Sequence, residues 1–252
     1  MACSFPRIHA HRGSSRDAPE NTLPAFELAI EYGADAIEFD LHYTKDRAIA
    51  VHHAYYLGRT NDGEGLLAEK TLEELQALDA GSWFDGRFSG ERIPVFEDVL
   101  MLGKGRCRFE IQLASISEDF IGDVLRLIGK YEILEAVEIT SVFPEVLMKV
   151  REMHRAIPTG VILPVGPGWM GGDLWLLHTL KRLELMRAKV AHTPLERLSV
   201  EAIEEIQSRG YVVHAADCNE RGEIEKVVKM GVDQFSTDRV KMAIKLRDEY
   251  GV

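Results

Sequence analysis

Acidic side chains alternate with apolar ones in two short segments of the sequence, residues 36–41 and 106–113. The side chains of an extended strand alternate between its two faces with a period of two. Glu38 and Asp40 therefore share one face of the first segment, and Glu110 lies on the corresponding face of the second. If the apolar faces of both strands pack outwards against helices, the three carboxylates point into one shared space.

Three converging carboxylates predict a site for a hard divalent cation. Buried carboxylates repel one another and become protonated unless a cation neutralises them. A ligand set made only of oxygen suits Mg²⁺ or Ca²⁺ rather than zinc, so we predict that Glu38, Asp40 and Glu110 bind one of these ions. The alternative is that each carboxylate pairs with an inward Arg or Lys. Arg12 is the one strand-end cation nearby, and it would leave two carboxylates over.

Two histidines, His11 and His53, end apolar segments of the sequence. Imidazole titrates near neutral pH, so two such rings beside a divalent cation suit the general acid and the general base of ester cleavage. Which ring is the acid stays open. Either ring could ligate the ion instead, although an oxygen-rich site disfavours this. His9 and His52 lie one position away, and we assign them no role.

Two further residues are predicted to contact the substrate. Arg12 follows the first histidine, and a guanidinium group binds phosphate in a bidentate manner. Gly13 then permits a close backbone approach. Glu20 lies at the end of the same loop, from which it can reach the mouth of a barrel. The residues after it, Asn21 and Thr22, are suited to cap a helix.

Strands that alternate with helices must position these residues, and the sequence shows this alternation. Eight short apolar segments alternate with amphipathic stretches of ~10–15 residues, which is typical of βαβ units and a parallel sheet. Eight strands in ~250 residues predict an α/β fold, a (β/α)8 TIM barrel. The predicted strands are 7–11, 36–41, 106–113, 136–140, 159–163, 189–192, 211–216 and 234–237, and the predicted helices include 21–32, 121–131, 144–155, 199–209 and 220–230.

A ninth apolar segment, residues 49–53, does not fit the count of eight strands. Residues 42–48 are too few for the crossover of ~10–12 residues that a parallel neighbour requires. We therefore predict a short extra strand that opens a small insertion after the second strand, approximately residues 42–104. This insertion contains a Gly-rich loop and a short helix over residues 71–79.

The overall composition is that of one globular domain. The chain has 252 residues, of which 46% are hydrophobic, and a net charge of −11. No Gly/Ser linker or internal repeat divides it, so we expect a single domain over residues 1–252 rather than two small ones. The acidic charge argues against nucleic acid as a partner, because non-specific binding of nucleic acid depends on Lys and Arg.

Targeting signals and cysteine pairs are not evident in the sequence. No apolar run approaches the ~18 residues that span a bilayer, and the N-terminus lacks an apolar signal core, so we expect a cytoplasmic protein without membrane insertion. Cys3, Cys107 and Cys218 are far apart and form no CxxC motif. We therefore predict neither a disulfide framework nor a thiolate zinc site.

The sequence resembles the glycerophosphodiester phosphodiesterase family in motifs spread over nearly its whole length. The family is a (β/α)8 barrel with an insertion after the second strand. The resemblance implies active-site histidines at His11 and His53, metal ligands at Glu38, Asp40 and Glu110, and a phosphate contact at Arg12. The motifs are Ala10-His11-Arg12-Gly13, Pro19-Glu20-Asn21-Thr22, Gly33-Ala34-Asp35 through Glu38-Phe39-Asp40, Thr44-Lys45-Asp46, His53, Gly81-Ser82-Trp83, Arg92-Ile93-Pro94, Glu110, Gly231-Val232-Asp233 and Thr237-Asp238-Arg239.

Three positions depart from the family's pattern. Ala54 replaces an Asp after the second histidine, Gln112 replaces a Lys, and Ala216, followed by Asp217, replaces a Trp. The lost Lys would face the phosphate, and a charge-assisted hydrogen bond is worth about 1.5–3 kcal/mol, or about ten- to a hundredfold in affinity. We expect a shifted substrate preference or reduced activity, with Gln112 beside the substrate.

The resemblance implies metal-dependent hydrolysis of glycerophosphodiesters to glycerol phosphate and an alcohol, with two histidines as general acid and base. The expected partner is a small-molecule phosphodiester, the expected cofactor is Mg²⁺ or Ca²⁺, and a homodimer stays open. One alternative is a catalytically weak or inactive phosphodiester-binding barrel, which the three departures favour. The other is a phospholipase D-like enzyme acting on lysophospholipids, although such enzymes are typically secreted and disulfide-bonded.

Overall fold

The computed structural model describes residues 5–251, and the β-strands of this part of the chain form one sheet. Eight of its nine strands are parallel to their neighbours. The sheet closes into a barrel because the first strand pairs with both the second strand and the last. Helices connect successive parallel strands, so the predicted (β/α)8 TIM barrel is confirmed.

Strands and helices alternate along the described chain. The strands are β1 (Arg7–Ala10), β2 (Ala36–Tyr43), β3 (Ile49–Val51), β4 (Arg108–Leu113), β5 (Val137–Ser141), β6 (Thr159–Ile162), β7 (Val190–Pro194), β8 (Val212–Ala216) and β9 (Gln234–Thr237). The helices are α1 (Leu23–Tyr32), α2 (Leu72–Gln76), α3 (Phe96–Gly103), α4 (Glu118–Lys130), α5 (Pro144–Met153), α6 (Gly172–Met186), α7 (Val200–Ser208), α8 (Arg221–Met230) and α9 (Val240–Glu249).

The segment between β2 and β4 contains the extra strand. β3 pairs antiparallel with β2, with Leu41 opposite Val51 and Tyr43 opposite Ile49. The strand ends at Val51, two residues before the end of the apolar segment, so His53 lies in the following loop. The helix α3 lies inside the predicted insertion range, yet it packs against α1 as a helix of the outer ring does. It therefore takes the place of the barrel helix between the parallel strands β2 and β4.

Apolar side chains of the strands pack outwards under the helices, as the period-two pattern predicts. Phe39 of β2 lies at the centre of an aromatic group, with ring centroids 5.7 Å from Phe26, 5.9 Å from Phe96 and 6.3 Å from Phe109. Ring pairs at such distances add to the stabilisation from burial. The polar side chains of the same strands are left to point into the barrel.

Gly13 allows the loop after β1 to fold back onto α1. Its φ is +84°, and an added Cβ would lie 2.6 Å from the backbone carbon of Ala25. We expect Gly13→Ala to destabilise the protein by more than the about 1–2 kcal/mol that a left-handed conformation costs a residue with a Cβ. Gly65→Ala is the matched control, because its φ is +85° and nothing lies within 4 Å. Equal losses in urea unfolding would contradict the proposed clash with α1.

The helices and the cysteines of the described chain bear on two of the predictions from the sequence. Within the described residues, no helix combines the length and the apolar character that crossing a bilayer would need. Cys107 and Cys218 are free thiols, and Cys3 lies outside the described residues.

Candidate active site at the barrel mouth

His11 lies at the carboxyl end of β1, where the chain enters the β1–α1 loop. Its Nδ1 is 2.7 Å from Oδ1 of Asp238, which follows β9. Burial alone would lower the pKa of His11, but the hydrogen bond to Asp238 and the negative charge of Glu38 outweigh burial and raise the pKa to about 9. The ring is therefore protonated at neutral pH, and Nε2 remains to donate a proton to a ligand.

Asp238 is a site residue to which the sequence analysis gave no role, although it belongs to a motif quoted there. It also accepts hydrogen bonds from Ser15 Oγ at 3.0 Å and from Asn219 Nδ2 at 3.0 Å, so its carboxylate is held in place. Asp217, the residue beside the departure at Ala216, has its Oδ1 3.8 Å from His11 Nδ1. The sequence does contain a signal for Asp238. It lies one residue past the last strand, and barrel closure places the end of that strand beside the end of β1.

His53 lies in a different electrostatic environment from His11. Burial lowers its pKa to about 4, and the positive charge of Arg12 acts in the same direction. Its Nδ1 is buried and has no hydrogen-bond partner, while its backbone oxygen is 3.1 Å from His42 Nε2. His53 is therefore neutral at neutral pH. The two imidazoles at this end of the barrel thus have pKa values displaced in opposite directions.

Arg12 connects the loop after β1 with the carboxylates of β2. Its backbone N–H donates to Glu38 Oε2 at 2.9 Å, and its guanidinium Nη1 donates to Glu20 Oε1 at 3.0 Å. The guanidinium Nε lies 3.6 Å from Asp40 Oδ2. Glu20 also accepts from Arg59 of the segment between β3 and α2, a cation that the sequence analysis did not single out. One carboxylate is thus shared by two guanidinium groups at the mouth.

The three predicted metal ligands lie on neighbouring positions of β2 and β4. Glu38 and Glu110 are register partners, and all three carboxylates are buried. Asp40 Oδ2 accepts a hydrogen bond from Asn21 Nδ2 at 3.0 Å. Burial raises the pKa of Glu38 to about 8, and the charge of Asp40 adds to this effect. Repulsion between the neighbouring carboxylates, which the sequence predicts, thus contributes to the raised pKa of Glu38.

Glu110 is turned towards histidines rather than towards Asp40. Its Oε2 forms a short contact with His9 Nδ1, and its Oε1 is 3.4 Å from His192 Nδ1. Among residues 5–251, the groups of three His or acidic side chains with donor atoms all within 4.8 Å of one another are His9/Glu110/His214 and Glu110/Glu138/His192. Glu38, Asp40 and Glu110 do not form such a group.

The donor chemistry around Glu38 and Asp40 fits a hard cation. Both supply carboxylate oxygens, and the buried Oδ1 of Asn21 beside them has no hydrogen-bond partner. Oxygen donors of this kind are those that Mg²⁺ and Ca²⁺ prefer. Pairing with Arg or Lys accounts for one carboxylate at most, because among the described residues only Asp40 of the three predicted ligands lies within 4 Å of such a cation, at the 3.6 Å separation from Arg12.

The positions that depart from the family's pattern lie around this site. Gln112 is half-buried on β4, between its register partners Asp40 and Thr140. The backbone oxygen of Ala54 is 2.8 Å from His52 Nδ1, so His52 has a structural role in the loop. Gln112 therefore lies on the barrel face that the substrate would meet, beside one predicted metal ligand.

Comparisons with known proteins agree with this geometry. The family model described as the glycerophosphoryl diester phosphodiesterase family matches residues 11–242. The chain is 36% identical to YhdW of Bacillus subtilis (strain 168), over 94% of this chain and 96% of that protein. It is 32% identical to a glycerophosphodiester phosphodiesterase of Caldanaerobacter subterraneus subsp. tengcongensis, over 95% of this chain and 96% of that protein.

Solved structures share the fold of this chain. An Oleispira antarctica phosphodiesterase, in complex with the product sn-glycerol-3-phosphate, superimposes with a TM-score of 0.87 at 26% identity, and the match covers 97% of each chain. A glycerophosphodiester phosphodiesterase from Agrobacterium tumefaciens shares the fold, with a TM-score of 0.83 at 24% identity over 95% of this chain and 99% of that one. The chain therefore belongs to the glycerophosphodiester phosphodiesterase family of phosphoric diester hydrolases.

Proposed function

We propose that this protein hydrolyses glycerophosphodiesters to glycerol phosphate and an alcohol in a metal-dependent reaction that uses two histidines. The observation that carries this proposal is the pair His11 and His53, whose pKa values are displaced in opposite directions at one barrel mouth. Two titratable groups whose environments separate their pKa values in this way are suited to act as an acid and a base.

Arg12 is the residue proposed to hold the phosphate. Its guanidinium is partly exposed at the mouth and carries a charge that Glu20 shares with Arg59. Glu20 has one negative charge and contacts two guanidinium groups, so it does not neutralise both, and a cation bound to Asp40 would reduce the hold of that carboxylate on Arg12. Glu20 therefore acts on the substrate by positioning Arg12 rather than by direct attraction.

The two histidines divide the proton transfers between them. His53 is neutral, so it can accept a proton from the attacking water or from a neighbouring substrate hydroxyl. His11 is protonated and is oriented by Asp238 through Nδ1, so its Nε2 can protonate the leaving alkoxide. General acid–base catalysis of this kind contributes about 10²–10⁴-fold to the rate.

Glu38, Asp40 and Glu110 are the residues proposed to hold Mg²⁺ or Ca²⁺. When bound, such an ion neutralises charge on the phosphate oxygens and polarises the phosphorus. The carboxylates lose their mutual repulsion in the same event, because the ion supplies the charge that the surrounding side chains do not.

The experiment that tests the function is a hydrolysis assay with purified protein. Glycerophosphodiesters that differ in the alcohol are offered with Mg²⁺ or Ca²⁺, and release of glycerol phosphate is measured. We expect turnover that EDTA abolishes and added cation restores. Absence of EDTA-sensitive turnover on every substrate would contradict the proposal. Turnover of lysophospholipids alone would support the phospholipase D-like alternative.

A phosphodiester-binding barrel is the second candidate function, because Ala54, Gln112 and Ala216 replace residues of the family's pattern. It predicts substrate binding without product release, and binding that does not change in His11→Ala or His53→Ala.

A cytoplasmic location and a homodimer stay predictions from the sequence.

The rate is expected to follow a bell-shaped pH profile. His53 must be neutral to accept a proton, so the rate falls as the pH drops through about 4. His11 must be protonated to donate one, so the rate falls as the pH rises through about 9. Asp238→Asn removes the charge that raises the pKa of His11, so the alkaline limb of kcat moves to lower pH. An unmoved alkaline limb would contradict the role of His11 as the acid.

Gln112→Lys is expected to raise kcat/KM. The new ammonium would lie beside the phosphate, and a charge-assisted hydrogen bond there is worth about ten- to a hundredfold. Initial rates at low substrate concentration measure the change. Gln112→Leu is the control, since it alters the side chain without adding a charge and is not expected to raise kcat/KM. An equal effect of both variants would show that position 112 does not contact the phosphate.

A further inference from the structure

A second group of metal-binding side chains lies inside the barrel, apart from Glu38 and Asp40. Glu138 of β5 and His192 of β7 meet Glu110 of β4, and one donor atom of each lies within 4.8 Å of the others. Glu138 is 8% exposed, His192 5% and Glu110 4%. We call these three residues the inner cluster. None of the catalytic steps proposed above uses Glu138 or His192.

His192 bridges the two carboxylates of the inner cluster. Its Nε2 is 2.6 Å from Glu138 Oε1, and its Nδ1 is 3.4 Å from Glu110 Oε1. The ring of His214 stacks on it with the centroids 4.1 Å apart. The stacking restricts the rotation of His192, which keeps its nitrogens directed at the carboxylates.

His214 lies beside this cluster and offers it no hydrogen-bond donor through Nδ1. Gln234 Oε1 accepts from Arg7 at 2.7 Å, which turns the Gln234 amide nitrogen towards Glu138 Oε2 at 3.1 Å and His214 Nδ1 at 3.2 Å. His214 Nδ1 therefore accepts the Gln234 hydrogen bond with its single lone pair, and it lies 3.6 Å from Glu110 Oε2 with no proton of its own to donate. Two acceptors this close with no proton between them repel, and a cation bound to Glu110 would offset the repulsion.

The neighbouring strand leaves space for this arrangement. Gly160 of β6 has no side chain, and an added Cβ would lie 2.5 Å from His192 Nε2 and 2.7 Å from Glu138 Oε1. Any other residue at this position would occupy the contact between the imidazole and the carboxylate. The space beside Gly160 is thus bounded by the Glu138 carboxylate and the His192 imidazole.

The charges of the inner cluster have only imidazoles as ion-pair partners within the described residues. Among residues 5–251, no Lys or Arg forms an ion pair with Glu110 or Glu138, and their partners are imidazoles. The protein would neutralise both carboxylates only with two imidazoles, His9 and His192, protonated at the same time. A divalent cation would neutralise both.

We propose that Glu110, Glu138 and His192 bind a divalent transition-metal cation. Mixed imidazole and carboxylate ligands suit ions such as Zn²⁺, Mn²⁺ and Co²⁺, whereas Mg²⁺ and Ca²⁺ prefer oxygen. The inner site shares Glu110 with the site for Mg²⁺ or Ca²⁺ but does not depend on the proposed activity. An ion held there would fix the position of the Glu110 carboxylate from the side of β5 and β7.

Cobalt titration tests the proposal directly. Protein stripped by a chelator is saturated with Mg²⁺, titrated with Co²⁺, and followed by visible absorption and by elemental analysis after gel filtration. We expect one Co²⁺ per chain, displaced by Zn²⁺. Glu138→Gln is expected to abolish this binding. The matched control is Glu38→Gln, which alters the neighbouring site and is expected to leave Co²⁺ binding in place.

Two further variants keep the test informative should Glu138→Gln fold poorly. Gln234→Leu removes an outer hydrogen bond to Glu138, and such losses typically weaken metal binding about ten- to a hundredfold. Gly160→Ala fills the space and is expected to abolish Co²⁺ binding without changing any ligand. Circular dichroism confirms folding of each variant. A wild-type protein that binds no Co²⁺ in excess Mg²⁺, or folded variants that all bind it as tightly as wild type, would overturn the proposal whether or not the enzyme hydrolyses glycerophosphodiesters.

Discussion

Replacing His53 with alanine is expected to lower kcat by about 10²–10⁴-fold, the usual contribution of a general base. His53 is neutral because burial and the charge of Arg12 hold its pKa at about 4, so it is ready to accept a proton at neutral pH. Since no hydrogen bond or ion pair joins His53 to Glu38, Asp40 or Glu110 in the described part of the chain, the affinity for Mg²⁺ is expected to stay nearly unchanged.

Steady-state kinetics and calorimetric titration with Mg²⁺ check both parts of this prediction. His178→Ala is the control, because His178 lies exposed on α6 and is expected to leave kcat unchanged. A large loss of cation affinity in His53→Ala would show that the ring is a metal ligand instead of a base. An unchanged kcat would support the phosphodiester-binding alternative.

Glu38→Gln is expected to abolish most activity and to weaken the binding of Mg²⁺ or Ca²⁺. Loss of a hydrogen-bond partner of a metal ligand typically weakens metal binding about ten- to a hundredfold, and loss of the ligand itself is expected to weaken it more. Excess cation is expected to restore part of the activity. Adding the cation raises the Tm of the wild-type protein by mass action, since the ion binds the folded state, and the rise is expected to be smaller in the variant.

The stability of the cation-free protein gives an independent check on this site. The folded-state pKa of Glu38 is raised above its unfolded value, so ionised Glu38 destabilises the fold, and stability is lost as the pH rises through the range from 4.5 to about 8. In EDTA at neutral pH, Glu38→Gln is therefore expected to have a Tm at least equal to that of wild type. The control is Glu196→Gln, at an exposed position. A lower Tm of Glu38→Gln in EDTA would show that a protein cation already neutralises Glu38.

The alternation of eight apolar segments with amphipathic stretches was sufficient to predict the barrel, and period-two alternation within the segments predicted the inward face of β2 and β4. It placed Glu38 and Glu110 as neighbours, and they are register partners. Such alternation follows from strand geometry and therefore needs no knowledge of the partner strand. It does not determine where the end of a side chain turns, which is why the contact of Glu110 with His9 was not predicted.

Residues that meet only through barrel closure were beyond the sequence analysis. Asp238 reaches His11 across 227 positions of the chain, and Arg59 reaches Glu20 from a loop of irregular structure. The helix α3 was placed in the insertion because its short apolar segment follows irregular structure, whereas its packing against α1 is a property of the ring. The assignment of acid and base likewise needed the burial of His53, which no spacing reveals.

The pairing of β1 with β9 has a consequence for how this protein becomes active during synthesis. His11, the proposed proton donor, and Asp238, which holds its ring, are 227 positions apart in the chain, and they meet only when β9 docks beside β1. Because a ribosome synthesises the chain from its N-terminus, β1 is made long before β9, the strand with which it must pair. We therefore expect turnover to appear late in folding, at the step in which β9 closes the barrel.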